Sequence, residues 1–266
     1  MPSSNMLSLS LSLVCTSDGL SKYGGKMLST VTNRKHAQGA INSGADALMI
    51  TGHEAAAHGG DVTSLVGIPC IRQEFPNIPI VAAGGFATGS GLCAALSLGA
   101  DAIAMGSRFA ITKESPLATN TKHAIVEHTE VDTIYGTNFD GIPARVLKTD
   151  ISKKAMKSRP FIGTILYRSL LAAKTMNIPL WQILPGLITQ YDKIFMISQF
   201  SAATQSIQDA TVNGDITQNG IQFIGQCQGL IHDIPSVENL IQQIIYDAKL
   251  ISQETNIILN NDGDGD

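Results

Sequence analysis

The chain is short of charge. Of its 266 residues only 15% are Asp, Glu, Lys or Arg, and the formal net charge is -4 at pH 7. So weak a balance sets up no general field for nucleic acid or an anionic membrane, and neither partner is expected. Long apolar runs are also missing, since none approaches the ~20 residues needed to span a bilayer. Cysteine is scarce, with Cys15, Cys70, Cys93 and Cys227 scattered along the chain. They lack metal-ligand spacing, and a chain of this size has no need of a disulfide framework. No metal site and a reduced, cytoplasmic setting are therefore expected. What is present is 44% hydrophobic residues, enough for one large domain or two modest ones.

The two ends read differently from the middle. Met6-Leu7-Ser8-Leu9-Ser10-Leu11-Ser12-Leu13-Val14 alternates apolar residues with Ser, but it lacks a preceding positive charge and a small-residue cleavage site. Residues 1–24 are expected to be a poorly ordered leader or a single added strand. The closing Asn260-Asn261-Asp262-Gly263-Asp264-Gly265-Asp266 resembles the opening of a calcium loop, yet stops before the later ligands. Residues 255–266 are read as an acidic, solvated tail.

Between these ends a repeat sets the architecture. Gly44-Ala45-Asp46-Ala47-Leu48 and Gly99-Ala100-Asp101-Ala102-Ile103 share one form, and each follows a helical segment, Asn33 to Ser43 or Gly89 to Leu98. Glycine is the expected helix C-cap, and the apolar residues begin a buried strand. A helix from Val62 to Glu74 and a strand from Pro79 to Ala83 lie between the repeats, and Lys26 to Val31 supplies an earlier strand. Successive β-α units with short connections imply an α/β fold with a parallel sheet, a partial (β/α) barrel over 25–137. Within its last part, Glu114 to Val131 reads as a helix and Thr133-Ile134-Tyr135 as a strand. Residues 138–227, with the basic cluster Lys148 to Arg159 and Trp181, read as an appended, mainly helical, substrate-side region. Over 228–254, Val237 to Ala248 reads as an amphipathic helix presenting Leu240, Ile241, Ile244 and Ile245 on one face, packed back on the sheet.

The chemistry concentrates at strand ends. Gly52-His53-Glu54-Ala55-Ala56-Ala57-His58-Gly59-Gly60 follows the strand that ends at Thr51, where parallel α/β proteins place their reactive groups. A lone histidine is more often structural, but the small residues before His58 and the glycine pair after it leave room for a flat ligand. His58 is the candidate acid or base, since an imidazole exchanges a proton near neutral pH. His53 and Glu54 either line the pocket or bond within it. Gly84-Gly85 ends the next strand, and Ala104-Met105-Gly106-Ser107-Arg108 the one after. Their backbone amides form a candidate phosphate cradle. The alternative is that these glycines only turn the chain tightly. Arg108 fits either a phosphate contact or a structural ion pair.

These motifs resemble the flavin-binding signatures of the nitronate monooxygenase family, formerly the 2-nitropropane dioxygenases. Asp132-Thr133, Gly141-Ile142-Pro143-Ala144-Arg145 and Gly225-Gln226-Cys227-Gln228-Gly229-Leu230 match its C-terminal half, and the resemblance runs from Gly25 to Ala248. It implies FMN bound in a TIM-type barrel with a second helical domain, and a catalytic histidine at His58. The implied cofactor contacts are Thr51, Ala56, Gly84, Gly85, Ala104, Met105, Gly106 and Ser107. It also implies oxidation of a small molecule, an alkyl nitronate, by oxygen to a carbonyl compound and nitrite. A flavin-dependent enoyl-thioester reductase shares the same pattern, and a non-catalytic flavin-binding remnant is the third reading.

Three departures stand out. Ala56-Ala57 replaces the family's glycine pair, and Thr51 and Ala104 stand where glutamine is common. No β-α units equivalent to the family's first half precede Lys26. The expectation is a half barrel with open edges, arising from a truncated gene model, from divergence, or from a chain that completes itself by self-association.

Overall fold

The two Gly-Ala-Asp segments do the same job. The computed structural model describes residues 24–56, 58–139, 142–157 and 204–261. Gly44 and Gly99 have φ of 86° and 98°, one residue past the helix C-caps Ser43 and Leu98. That left-handed conformation, open mainly to glycine, turns the chain out of the helix toward the sheet. Asp46 Oδ2 then accepts the Met27 amide at 2.8 Å, and Asp101 Oδ2 accepts the Ile80 amide at 2.8 Å. Each carboxylate ties the start of one strand to the start of its neighbour.

Strands β1 (Leu28–Val31), β2 (Ala47–Thr51), β3 (Ile80–Ala83) and β4 (Ala102–Ala104) pair in parallel and in chain order. Helices α1 (Arg34–Asn42), α2 (Ser64–Glu74) and α3 (Gly89–Ser97) make the crossovers, and α4 (Ser107–Ala110) follows β4. Strand order without skipping, with a helix in every crossover, is the construction of a (β/α) barrel wall. Leu48 and Ile50 of β2, Ile80 and Ala82 of β3, and Ile68 and Ile71 of α2 form the core between sheet and helices. Each such Leu or Ile contributes about 1.5–3 kcal/mol by leaving water. The alternate residues Ala47, Met49 and Thr51 are only half-buried on the other face of β2.

Past β4 the sequence reading needs correction. The helix expected over Glu114 to Val131 is α5, limited to Thr119–Val126. Pro116 disfavours helical backbone in the residue before it, which blocks the earlier start. Strands β5 (Thr133–Gly136) and β6 (Ala144–Leu147) form an antiparallel hairpin with Tyr135 opposite Arg145. A strand thus opens the segment read as mainly helical, and all four of its residues are buried. Helix α6 (Asp150–Lys157) follows, then a π-helical turn at Asp209–Asn213 and a 3-10 turn at Gln226–Leu230. Residues 1–23, most of the segment expected to be a leader, lie outside the described residues, as do Ala57, Gly141, Arg159, Trp181 and the last five residues.

Helix α7 (Val237–Asn261) is longer than expected and includes most of the segment read as a solvated tail. It packs on α3 rather than on the sheet. Cys93 Sγ donates to Ala248 O at 2.9 Å, and a Cβ on Gly89 would stand 2.5 Å from Asp247 Cβ. Its buried face is Leu240, Ile244 and Ala248, while Ile241 and Ile245 are 42% and 45% exposed. The expected face therefore divides, because one partner helix covers only the i, i+4, i+8 line.

Candidate functional site

Register brings three strand ends together. Thr51 pairs with Ala83 and Ala83 with Ala104, so the chain leaves β2, β3 and β4 along one edge of the sheet. The Gly52 amide adds a bond to Ala83 O at 3.0 Å, which draws the histidine loop over β3. Gly84 and Gly85 follow with φ of 93° and 85°. A Cβ on Gly84 would stand 3.0 Å from the Gly52 nitrogen, and one on Gly85 would stand 3.3 Å from Glu54 Cβ. The histidine loop rests directly on the glycine pair.

Much of the polar chemistry in this loop serves the fold. Glu54 accepts the Ser64 amide at 3.1 and 3.0 Å, and the Ser64 hydroxyl lies 3.2 Å away. Because Thr63 makes no side-chain cap bond, Glu54 caps α2 from outside. Ser64 Oγ is also 2.9 Å from Gly84 O, which links the loops after β2 and β3. His53 Nδ1 lies 3.0 Å from Gly60 O, closing the loop on itself, and its ring meets Tyr135 edge-on at 4.7 Å. His58 is exposed, with its ring 6.3 Å from that of Phe223.

At the β4 end, Ser107 Oγ accepts the Gly225 amide at 3.0 Å, so a backbone group engages the hydroxyl of this expected cofactor contact. Arg108 resolves as a structural ion pair, with Nη2 2.6 Å from Asp233 Oδ1 and Nη1 donating to Asp233 O at 3.1 Å. Ala104 is half-buried, and Met105 packs against the sheet core. Burial raises the Cys227 thiol above its ordinary range, which keeps it protonated. Gly225 also crosses the histidine loop. A Cβ there would stand 3.2 Å from the Ala56 nitrogen, and the next amide, Gln226, donates to Glu54 O at 2.9 Å.

The helix ends discriminate between anion sites. Asn33 caps α1, Glu54 caps α2, and Thr88 Oγ1 accepts the Gly91 amide at 3.2 Å to cap α3. Gly106, before α4, makes no side-chain cap bond, and a Cβ on it would meet nothing within 4 Å. Among the described residues, the amides of Gly84, Gly85, Gly106 and Ser107 make no hydrogen bond. Donors left over on two adjacent strand ends are what a phosphate group requires. No group of His, Cys, Asp and Glu among the described residues is placed to hold a metal ion.

Two contributors escaped the sequence reading. Arg145, 5% exposed, donates through Nη2 to His53 O at 3.0 Å and through Nη1 to Thr133 Oγ1 at 3.0 Å. Tyr135 donates its hydroxyl to Gly59 O at 3.2 Å. Burial, then the nearby Asp61 carboxylate, holds the Tyr135 hydroxyl above its usual range, so it remains a donor. Both residues lie in or beside segments resembling the family, but nothing local in the sequence links either to a loop more than seventy residues earlier.

The profile of the nitronate monooxygenase family matches residues 15–247. The chain belongs to the nitronate monooxygenase family. The family is one of flavin-dependent oxidoreductases, with FMN as cofactor, and amides left unbonded among the described residues suit a phosphate group in general. Among similar proteins is the (3aS,4S,5R,7aS)-5-hydroxy-7a-methyl-1-oxo-octahydro-1H-indene-4-carboxyl-CoA dehydrogenase of Mycobacterium tuberculosis. It is 31% identical over 239 residues, covering 86% of this chain and 66% of the relative. A probable nitronate monooxygenase of Staphylococcus saprophyticus is 34% identical over 140 residues, covering 48% of this chain and 39% of the relative. The structure of FabK from Thermotoga maritima aligns with a TM-score of 0.68 at 30% identity, over 90% of this chain and 66% of that one. The chain thus spans no more than two thirds of the length of each of these relatives. Among the described residues no helix is long and apolar enough to cross a membrane.

Proposed function

We propose that this chain carries the cofactor cradle and reactive histidine of an FMN-dependent oxidoreductase that converts alkyl nitronates and oxygen to a carbonyl compound and nitrite. The observation that carries this reading is the placement of an exposed His58 on a loop seated on Gly84-Gly85, beside four amides that bond no partner among the described residues. Those amides, of Gly84, Gly85, Gly106 and Ser107, would hold the phosphate, and Thr51, Ala56, Ala104 and Met105 would flank the flavin. When bound, FMN supplies the electron-accepting chemistry. His58 takes the proton from the carbon beside the nitro group of a neutral nitroalkane, or, protonated, hydrogen-bonds the anionic nitro group of a nitronate. Residues 25–137 form the cofactor side in this reading, and 138–227 the substrate side.

A second reading is an oxidoreductase acting on an enoyl thioester. A thioester substrate is supported by the Mycobacterium tuberculosis relative, whose name specifies a carboxyl-CoA and which aligns over 86% of this chain. The purified chain is expected to be yellow with near-stoichiometric FMN, and a colourless protein that takes up no added FMN overturns both readings. Nitronate-dependent oxygen uptake, abolished in His58→Ala, supports the first. NAD(P)H-dependent reduction of an enoyl thioester without nitronate oxidation selects the second.

Cellular setting and assembly belong to the same reading. Cys70, Cys93 and Cys227 are free thiols, in keeping with a cytoplasmic protein. The outer edges of β1 and β4 pair with no strand among the described residues, which leaves them open to self-association. A concentration-dependent dimer in sedimentation is expected, and a monomer at every concentration contradicts it.

A further inference from the structure

We infer that Tyr135 and Arg145 are positioning residues that place His58 by holding the backbone carbonyls on either side of it. The inference rests on the reading of His58 as the reactive histidine. The two residues face each other across the β5–β6 hairpin, and the Arg145 guanidinium lies 5.3 Å over the Tyr135 ring. Arg145 holds the carbonyl of His53 at 3.0 Å, and Tyr135 holds that of Gly59 at 3.2 Å. His53 completes the clamp, with its ring edge-on to Tyr135 and its Nδ1 3.0 Å from Gly60 O. The Arg145 bond to His53, the Tyr135 bond to Gly59 and the His53 ring contact all land on the loop that carries His58.

The chemistry of Arg145 argues against a purely structural role. Its guanidinium is bonded to a carbonyl and a hydroxyl, and its buried Nε has no partner among the described residues. Glu54, the carboxylate that acts on its charge, is itself bonded to Ser64. A buried cation without a bonded counter-ion is a poor source of stability, and an apolar side chain of similar volume would do better. What the guanidinium supplies that an apolar residue does not is a directed donor to a loop carbonyl. Tyr135 acts likewise, since Phe would keep the ring contacts and lose only the bond to Gly59.

The test uses the full chain as Tyr135→Phe and Arg145→Lys. The first keeps the packing, and the second keeps the charge but not the fork. With 15N-labelled histidine, the His58 imidazole is titrated by NMR in the chain without flavin, and turnover is measured after FMN loading. For Tyr135→Phe we expect a thermal midpoint within about 2 °C of the parent chain. We expect a moved His58 titration, and kcat lower by about tenfold to a hundredfold with KM changed less than about twofold. Arg145→Lys is expected to move the same histidine signal. A His58 titration and line shape identical to the parent in both variants overturns the inference, whatever the turnover. If the parent chain shows no flavin turnover, the proposed function fails, and the NMR comparison still decides this inference by itself.

Discussion

Gly84 and Gly106 look alike in the sequence, yet different physics holds each in place. Gly84 has a φ of 93°, and a Cβ there would press on Gly52. Gly84→Ala is therefore expected to cost about 1–3 kcal/mol, read as a lower urea midpoint. Gly106 has a φ of -84° beside open space, so alanine fits its backbone. Gly106→Ala should leave stability within about 1 kcal/mol of the parent, while weakening FMN binding about tenfold by crowding the phosphate amides. Equal stability losses in the two variants would contradict this division. At this scale the exposed His58 was legible, because a strand end followed by small residues leaves a ring accessible. The roles of Glu54, Ser107 and Arg108 were not. Each is decided by a partner 10, 118 or 125 residues away in the chain, Ser64, Gly225 and Asp233 respectively.

Elements divide in the same way. The β-α alternation from β1 to α3 was readable because both the strand's apolar run and the helix's glycine stop are local signals. The inward face of α7 was not, since hydropathy marks Leu240, Ile241, Ile244 and Ile245 alike. The mutational consequence separates them. Leu240→Ala or Ile244→Ala is expected to cost about 2–5 kcal/mol by leaving a cavity against α3. Ile241→Ala should change stability by less than about 0.5 kcal/mol. Chemical denaturation of the three variants checks the assignment, and equal losses would mean that α7 is covered on both sides. The β5–β6 hairpin is the element whose importance was least visible. Tyr135 reads as an ordinary strand residue, and Arg145 as part of a family-matching segment in a mainly helical region, until their partners in the histidine loop are known.

Across the molecule, the repeated aspartates couple the sheet to pH. The Ile80 amide first, and then Arg72, hold the Asp101 carboxyl below its usual range, while Lys26 and the Met27 amide do the same for Asp46. A carboxyl whose folded pKa is depressed adds stability above the unfolded value of about 3.9 and loses it as the pH falls through the folded pKa. Thermal stability is expected to fall on acidification below about pH 4. Asp101→Asn should cost roughly 1 kcal/mol near neutrality, given the exposure of the site. The gap between the two proteins should close as the pH drops, and a constant gap from pH 7 to pH 3 would refute the role given to this carboxylate.

The sequence by itself determined the parallel β-α order, the glycine turns out of α1 and α3, and a histidine loop at the end of β2. These follow from residue period and backbone freedom, which act over a few residues. Tertiary structure decided which polar groups remain available to a ligand. Glu54 closes the end of α2, Thr88 that of α3 and Asp233 pairs with Arg108, while the amides of Gly84, Gly85 and Gly106 stay unfilled among the described residues. The same folding brought Tyr135 and Arg145 to the carbonyls flanking His58. No local pattern encodes these outcomes, because a hydrogen bond satisfied by a distant residue leaves no trace in its neighbours along the chain.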